Sequence, residues 1–295
     1  MIALRLGTRG SALARTQSGL VAAALTAVTG RQVELVVIRA EGDDVTIPLD
    51  APPRPGAFVA TLRDALEAAE VDLVVHSFKD LPSAPLAGLV VAAIPARADA
   101  RDALCARDGL TLAGLPQGAR IGTSSPRRAA GLRRVRPDLQ IVPVRGNVDT
   151  RLRKVDDGQV DAVVLAAAGL QRLGRGDAIS ELLDPDVCVP APAQGALAVE
   201  CRVGALESVL ASLDDDATRL AVTAERAVLA GVEAACTTAV GAYAAWRGAD
   251  ELELLAELSD HRGIDYARSS RQVRVTTSAE AEALGLAVAR ELLAG

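Results

Sequence analysis

Two stretches of the chain open in the same way. Leu6-Gly7-Thr8-Arg9-Gly10-Ser11 and Ile121-Gly122-Thr123-Ser124-Ser125-Pro126 each run from an apolar strand through a Gly/Ser/Thr turn into a helix. Around the first, Ile2–Leu6, Val33–Arg39 and Val71–Val75 read as strands, and Ser11–Thr29 and Ala57–Ala69 as helices. Around the second, Ala119–Gly122, Gln140–Val144 and Asp161–Ala166 read as strands, and Pro126–Val135 and Asn147–Asp157 as helices. Alternation of this kind argues for an α/β domain with a largely parallel sheet. Any α/β protein has such turns, so the repeat alone is a weak sign; it suggests two similar α/β domains.

The pattern changes after a stretch punctuated by Pro185, Pro190 and Pro192 and ending in Gln194-Gly195, which marks a boundary or crossover. Beyond it, Asp215–Ala230 reads as an amphipathic helix. Val240–Trp246, Leu252–Leu258 and Asp265–Ser269 read as short strands, and Ala279–Leu293 as a closing helix. Strands gathered between two helices predict a separate small α+β domain. The run Leu20–Val28 after Arg5, Arg9 and Arg15 faintly imitates a signal peptide, but the strand, turn and helix start before it favour a globular domain.

Composition narrows the function. The net charge of −6 gives no global basic field for DNA or a membrane surface, and no apolar run reaches spanning length. Five aromatic residues in 295 are too few for a base-stacking platform or an aromatic cage. Cys105, Cys188, Cys201 and Cys236, with His76 and His261, share no metal-ligand spacing and no disulfide framework, so no metal is expected and a reducing, cytoplasmic setting is. Between Arg120 and Val155, however, ten Arg or Lys face only two acids, Asp138 and Asp149.

Three strand-to-helix turns collect anion-binding groups: Thr8, Arg9 and Ser11; Thr123, Ser124, Ser125, Arg127 and Arg128; and Arg145, Asn147, Thr150 and Arg151. Helix N-termini offer free N–H groups and partial positive charge, to which these turns add hydroxyls and guanidiniums. Ser11 or Asn147 alone is better read as a helix cap. Arg133, Arg134 and Arg136 read as a solvated helix face. With no Walker or dinucleotide glycine pattern after a strand, the expected anion is a carboxylate rather than a nucleotide phosphate, on a substrate bearing several. Val74–Pro82 is a strand ending in a polar cluster, where ligands of open α/β sheets sit. Asp80 there is equally a turn carboxylate or an acid/base group. Cys236 lies among small residues, Glu233-Ala234-Ala235-Cys236-Thr237-Thr238, and is either a buried structural thiol or one with room for an attached group.

Taken in order, seven motifs resemble the porphobilinogen deaminase (hydroxymethylbilane synthase) family: Gly7–Ala14, His76–Pro82, Ile121–Arg128, Val144–Leu152, Ala168–Gly174, Pro192–Ala196 and Ala224–Ala227. The resemblance spans nearly the whole chain and is weakest after about residue 245. It implies two α/β domains like type II periplasmic binding proteins and a small C-terminal α+β domain: residues 1–97 with 194–214, 98–193, and 215–295. It implies a dipyrromethane cofactor, made from two porphobilinogen units and held on Cys236 through a thioether. It also implies stepwise head-to-tail condensation of four porphobilinogens with loss of ammonia, then hydrolysis to hydroxymethylbilane, by a cytoplasmic monomer. On this resemblance Asp80 is the catalytic carboxylate. Lys79, Thr123, Ser124, Ser125, Arg127, Arg128, Arg145 and Gly146 hold the cofactor with Cys236. Arg9, Ser11, Gln17, Phe58, Arg145, Arg151, Arg172 and Gln194 contact the substrate. The chain departs from the family pattern at Ala234, Ala235 and Ala239 around the cysteine, and in Pro52-Pro53-Arg54-Pro55-Gly56 before Phe58. Two rival readings are a non-catalytic two-lobed organic-anion binder, which needs neither Cys236 nor Asp80, and a nucleic-acid binder using residues 120–155.

Overall fold

In the computed structural model, which describes residues 3–38, 57–232, 239–260 and 264–294, the first strand–turn–helix is β1 (Leu4–Arg9) followed by α1 (Ala12–Thr29). β1 pairs in parallel with β2 (Val33–Ile38) on one side and β3 (Leu73–Ser77) on the other. Leu4, Leu6, Leu73 and Val75 pack beneath Val21, Ala22 and Leu25 of α1. On the opposite face Val74 and Val71 meet Leu62, Ala65 and Leu66 of α2 (Ala57–Glu67). The run that imitates a signal peptide lies within α1, where Val21, Ala22 and Leu25 face the sheet and Leu20 and Val28 are exposed. α1 stops at Gly30, whose φ of 68° provides the left-handed cap that a residue with a Cβ rarely adopts.

The sheet is completed by strands not foreseen from the sequence. β4 (Leu89–Ala93) and, from far along the chain, β10 (Leu197–Arg202) give the order β2-β1-β3-β10-β4. β10 runs antiparallel to both its neighbours. The second sheet repeats this plan. β6 (Arg120–Gly122) pairs in parallel with β7 (Gln140–Val142) and β8 (Ala162–Ala166). β5 (Asp102–Ala106) lies antiparallel to β8 and to β9 (Glu181–Leu182), for an order β7-β6-β8-β5-β9. Each sheet is therefore mixed rather than largely parallel. In each, the antiparallel strand lies immediately after a passage of the chain between the two sheets. α3 (Pro126–Val135), α4 (Val148–Asp156) and α5 (Ala167–Arg172) follow β6, β7 and β8.

After the short α6 (Glu207–Leu210), α7 (Asp216–Gly231) and α8 (Ser278–Ala294) pack on one face of an antiparallel sheet, β11 (Ala239–Trp246), β12 (Glu251–Ser259) and β13 (Tyr266–Arg274). Gly285 lets the helices touch, since a Cβ there would collide with the Ala224 carbonyl. β13 runs five residues beyond its expected end, its polar residues being those of an exposed edge strand. The architecture is two mixed α/β sheets plus a small α+β element. By compactness the chain divides into 1–97 with 196–219, and 98–195 with 220–295.

Candidate active site

In the first unit, parallel pairing brings the ends of β1 and β3 out at one edge of the sheet. Ser11 caps α1 by accepting from the Ala14 N–H at 3.3 Å. Thr8 is buried and accepts from the Ser18 hydroxyl at 2.8 Å. Gln17 and Ser77 exchange two hydrogen bonds of 3.0 and 3.1 Å, so the first turns of α1 are tied to the end of β3. β3 then turns through a single 3-10 turn, Phe78–Asp80, whose Phe78 N–H donates to the Ala196 carbonyl and whose Phe78 carbonyl accepts from the Leu81 N–H. Asp80 is exposed on this turn, and its carboxylate makes no hydrogen bond among the described residues. Arg9, Ser11, Gln17, Lys79 and Asp80 thus share one sheet edge.

In the second unit the ends of β6, β7 and β8 converge in the same way. Ser125 caps α3 and Asn147 caps α4, accepting from Arg128 N–H at 3.4 Å and Thr150 N–H at 2.9 Å. Ser124 links the two turns, donating to the Val144 carbonyl at 2.8 Å and accepting from its N–H at 3.1 Å. Arg145 emerges here with Nε and Nη2 buried and without a partner among the described residues. Arg151 donates to the Gly146 carbonyl at 2.8 Å, and Arg172 to the Gly195 carbonyl at 2.7 Å. Burial lowers the pKa of both, helped at Arg151 by the charge of Arg128. Neither Arg145, Arg151 nor Arg172 has a carboxylate partner among the described residues. Partly desolvated guanidiniums of this kind have the chemistry to pair with carboxylates.

The structure corrects the sequence reading at several positions. Arg127 and Arg128 do not stand open at the turn. Both are buried against Asp102 of β5, which sequence reasoning missed. Arg127 Nη1 donates to Asp102 Oδ2 at 2.7 Å and to the Val189 carbonyl at 2.6 Å. Arg128 Nε donates to Asp102 Oδ1 at 2.9 Å and its Nη1 to the Val164 carbonyl at 2.9 Å. Gln194 donates to Asp102 Oδ1 at 2.9 Å and to the Ala100 carbonyl at 2.8 Å, so it too points into this cluster. Burial alone would raise the Asp102 pKa, but the two guanidiniums outweigh it and hold the carboxyl far below its usual range. The missed signal was the apolar run Ala103–Cys105, which directly follows Asp102 and places it at a strand start.

Arg134 and Arg136 are not a solvated face either. Arg134 pairs with Glu257 of β12, donates to the Asp186 and Val187 carbonyls at 2.9 and 3.1 Å, and lies over the Tyr266 ring. Arg136 holds Asp138 and the Leu112 carbonyl. Cys236 and its loop, the Phe58 side chain and the Pro52–Gly56 segment lie outside the described residues. Cys105, Cys188 and Cys201 are all buried, with burial pushing the thiols of Cys105 and Cys188 up to about 12 and that of Cys201 upward. None of these three is a reactive thiolate near neutral pH.

Comparison with known proteins places this geometry. Residues 4–209 match the description "Porphobilinogen deaminase, dipyromethane cofactor binding domain", and residues 219–294 match "Porphobilinogen deaminase, C-terminal domain". The porphobilinogen deaminase of Thermobifida fusca is 51% identical over 291 residues, covering 98% of this chain and 91% of its own. That of Nocardia farcinica is 53% identical over 298 residues, covering 98% and 85%. Among solved structures, the second substrate binding domain of a putative amino acid ABC transporter from Streptococcus pneumoniae matches with a TM-score of 0.44 and 14% identity, covering 72% of this chain and 92% of that one. With both family descriptions met in order from residue 4 to residue 294, the chain belongs to the porphobilinogen deaminase family.

Proposed function

We propose that this chain joins porphobilinogen units, with Asp80 at the end of β3 as the catalytic carboxylate and the arginine-lined edge of β6–β8 as a carboxylate receptor. The overall conversion takes four porphobilinogens and one water to hydroxymethylbilane and four ammonia. The observation that carries the site assignment is Arg145, whose buried Nε and Nη2 have no partner among the described residues. A buried, unpartnered cation costs free energy, and acetate or propionate side chains on a dipyrromethane or its extended chain satisfy it.

The residues present fit such a cofactor. Arg145, Arg151 and Arg172, with the hydroxyls of Thr123 and Ser125 and the cap of α3, would hold its carboxylates, and Cys236 would hold its thioether. When bound, the dipyrromethane supplies a free pyrrole α-carbon as nucleophile and a covalent tether. Arg127 and Arg128, paired with Asp102, would fix the first turn of α3 and stand with it at the cofactor's carboxylates. Asp80 is exposed at the end of β3. It places its charge beside the substrate pyrrole N–H, where positive charge develops as ammonia leaves, and accepts or returns a proton there. The three buried thiols support Cys236 as the attachment point.

We also read residues 1–97 with 194–214, 98–193 and 215–295 as three domains. The chain is further read as a cytoplasmic monomer, consistent with the lack of any helix, among the described residues, long and apolar enough to cross a membrane. The test is the intact mass of purified, active protein. It should exceed the chain mass by two porphobilinogens less two ammonia. Cys236→Ala should lose this increment, and single Ala replacements of Cys105, Cys188 and Cys201 should retain it. Active protein of unmodified mass refutes the assignment.

A further inference from the structure

Between α2, β3 and β10 lies a buried set of charges that the proposed chemistry does not use. Glu200 of β10 is 2% exposed, His76 of β3 5% and Arg63 of α2 9%. Arg63 grips the Glu200 carboxylate with two nitrogens, Nε at 3.0 and 3.2 Å and Nη2 at 2.7 Å. His76 Nε2 lies 3.2 Å from Glu200 Oε2. Burial would raise the Glu200 pKa, but the hydrogen bonds with His76 and Arg63 outweigh it and keep the carboxyl below its usual range.

Buried ion pairs are poor sources of net stability, because desolvation consumes most of what the pairing returns, and apolar residues of similar volume often serve as well. What such a network does supply is geometry. A bidentate guanidinium–carboxylate fork fixes two elements in one relative orientation, and the imidazole adds a third. Here the third is β3, and the network grips it four residues before Asp80. Glu200 faces Val74 and Ala198 faces His76 across the β3–β10 ladder, and that pairing continues to the turn itself through the Phe78 N–H bond to Ala196. Among the described residues Asp80 has no side-chain tether of its own, so its place is set by where β3 ends.

We infer that Arg63, Glu200 and His76 are positioning residues for the reaction. They lock α2, β10 and β3 together so that the turn carrying Lys79 and Asp80 is held in register. The inference rests on the reading of Asp80 as the catalytic carboxylate.

The test uses cofactor-loaded enzyme. Arg63→Gln with Glu200→Gln removes both charges together while keeping polar side chains, so no ion is left buried alone. His76→Gln is a second, milder variant if the double variant does not fold. For each, the melting temperature, the intact mass, kcat and KM for porphobilinogen are measured beside Asp80→Asn. The expected result is a melting temperature within roughly 4 °C of the parent and the cofactor mass retained. With it should come kcat lower by about tenfold and KM within about twofold, since small misplacements of a reacting group cost rate rather than binding. Arg63→Lys, which keeps the cation but loses the fork, should fall between parent and double variant. If the folded variants keep kcat within about twofold while Asp80→Asn falls about a hundredfold, the network only packs and the inference fails with the Asp80 reading intact. If Asp80→Asn itself keeps the parental kcat, the Asp80 reading fails, and the inference with it.

Discussion

Asp102 gives the sharpest test of the energetics. Its carboxylate is fully buried, and within hydrogen-bonding distance it receives Arg127 at 2.7 Å, Arg128 at 2.9 Å, Gln194 at 2.9 Å and the Cys188 thiol at 3.3 Å. Asp102→Asn keeps the shape but leaves two buried guanidiniums without a counter-charge. Removing one partner of a buried ion pair costs about 3–5 kcal/mol, and both arginines depend on this one carboxylate, so the upper part of that range is expected. In a protein of this size about 1 kcal/mol corresponds to roughly 2–4 °C, so a fall in melting temperature of about 10–20 °C should follow. The pH dependence carries the sign. The folded pKa of Asp102 is depressed, so its contribution is present above the unfolded value of about 3.9 and is lost as pH falls toward the folded value, far below. Urea unfolding at a series of pH values should therefore show a wild-type-to-variant gap that is full at pH 7 and narrows steadily below about pH 4. A gap under about 1 kcal/mol at pH 7, or one unchanged between pH 6 and pH 3, refutes the assignment of Asp102 as the ionised anchor of α3.

Two further outcomes follow from the arginines. Arg145→Leu removes a cation whose buried nitrogens have no protein partner, so thermal stability should hold or rise. Turnover or cofactor assembly should fall by well over tenfold, as read by product formation and intact mass, since a charge-assisted hydrogen bond is worth about 1.5–3 kcal/mol. A loss of stability with unchanged turnover would reverse the assignment. Arg134→Leu breaks the link from α3 to Glu257 and frees the Asp186 and Val187 carbonyls, and should destabilise by about 1–3 kcal/mol in urea unfolding. No measurable change would return Arg134 to the solvent-facing role that the sequence suggested.

Features set by neighbours a few residues apart were legible in the sequence. The caps at Ser11, Ser125 and Asn147 are each a side chain accepting from an N–H three positions on, and the helices from Pro126 and Val148 begin where those signals put them. The apolar strands β1, β3, β6 and β8 were visible for the same reason: a buried strand must be a short continuous apolar run. The convergence of Arg9, Ser11 and Asp80, and of Thr123, Arg145 and Arg172, follows from parallel pairing once the strands are known. Tertiary structure decided what depends on distant partners. β5 and β10 are as apolar as their neighbours, but nothing local says that each enters its sheet antiparallel after the chain has passed between the two. Arg127, Arg128, Arg134 and Arg145 are chemically identical in the sequence. Asp102, twenty-five residues before Arg127, and Glu257, far beyond Arg134, take three of them out of solvent, and of these four Arg145 keeps buried nitrogens unsatisfied among the described residues. A guanidinium's role is fixed by which carboxylate reaches it first, and that is a property of the folded chain.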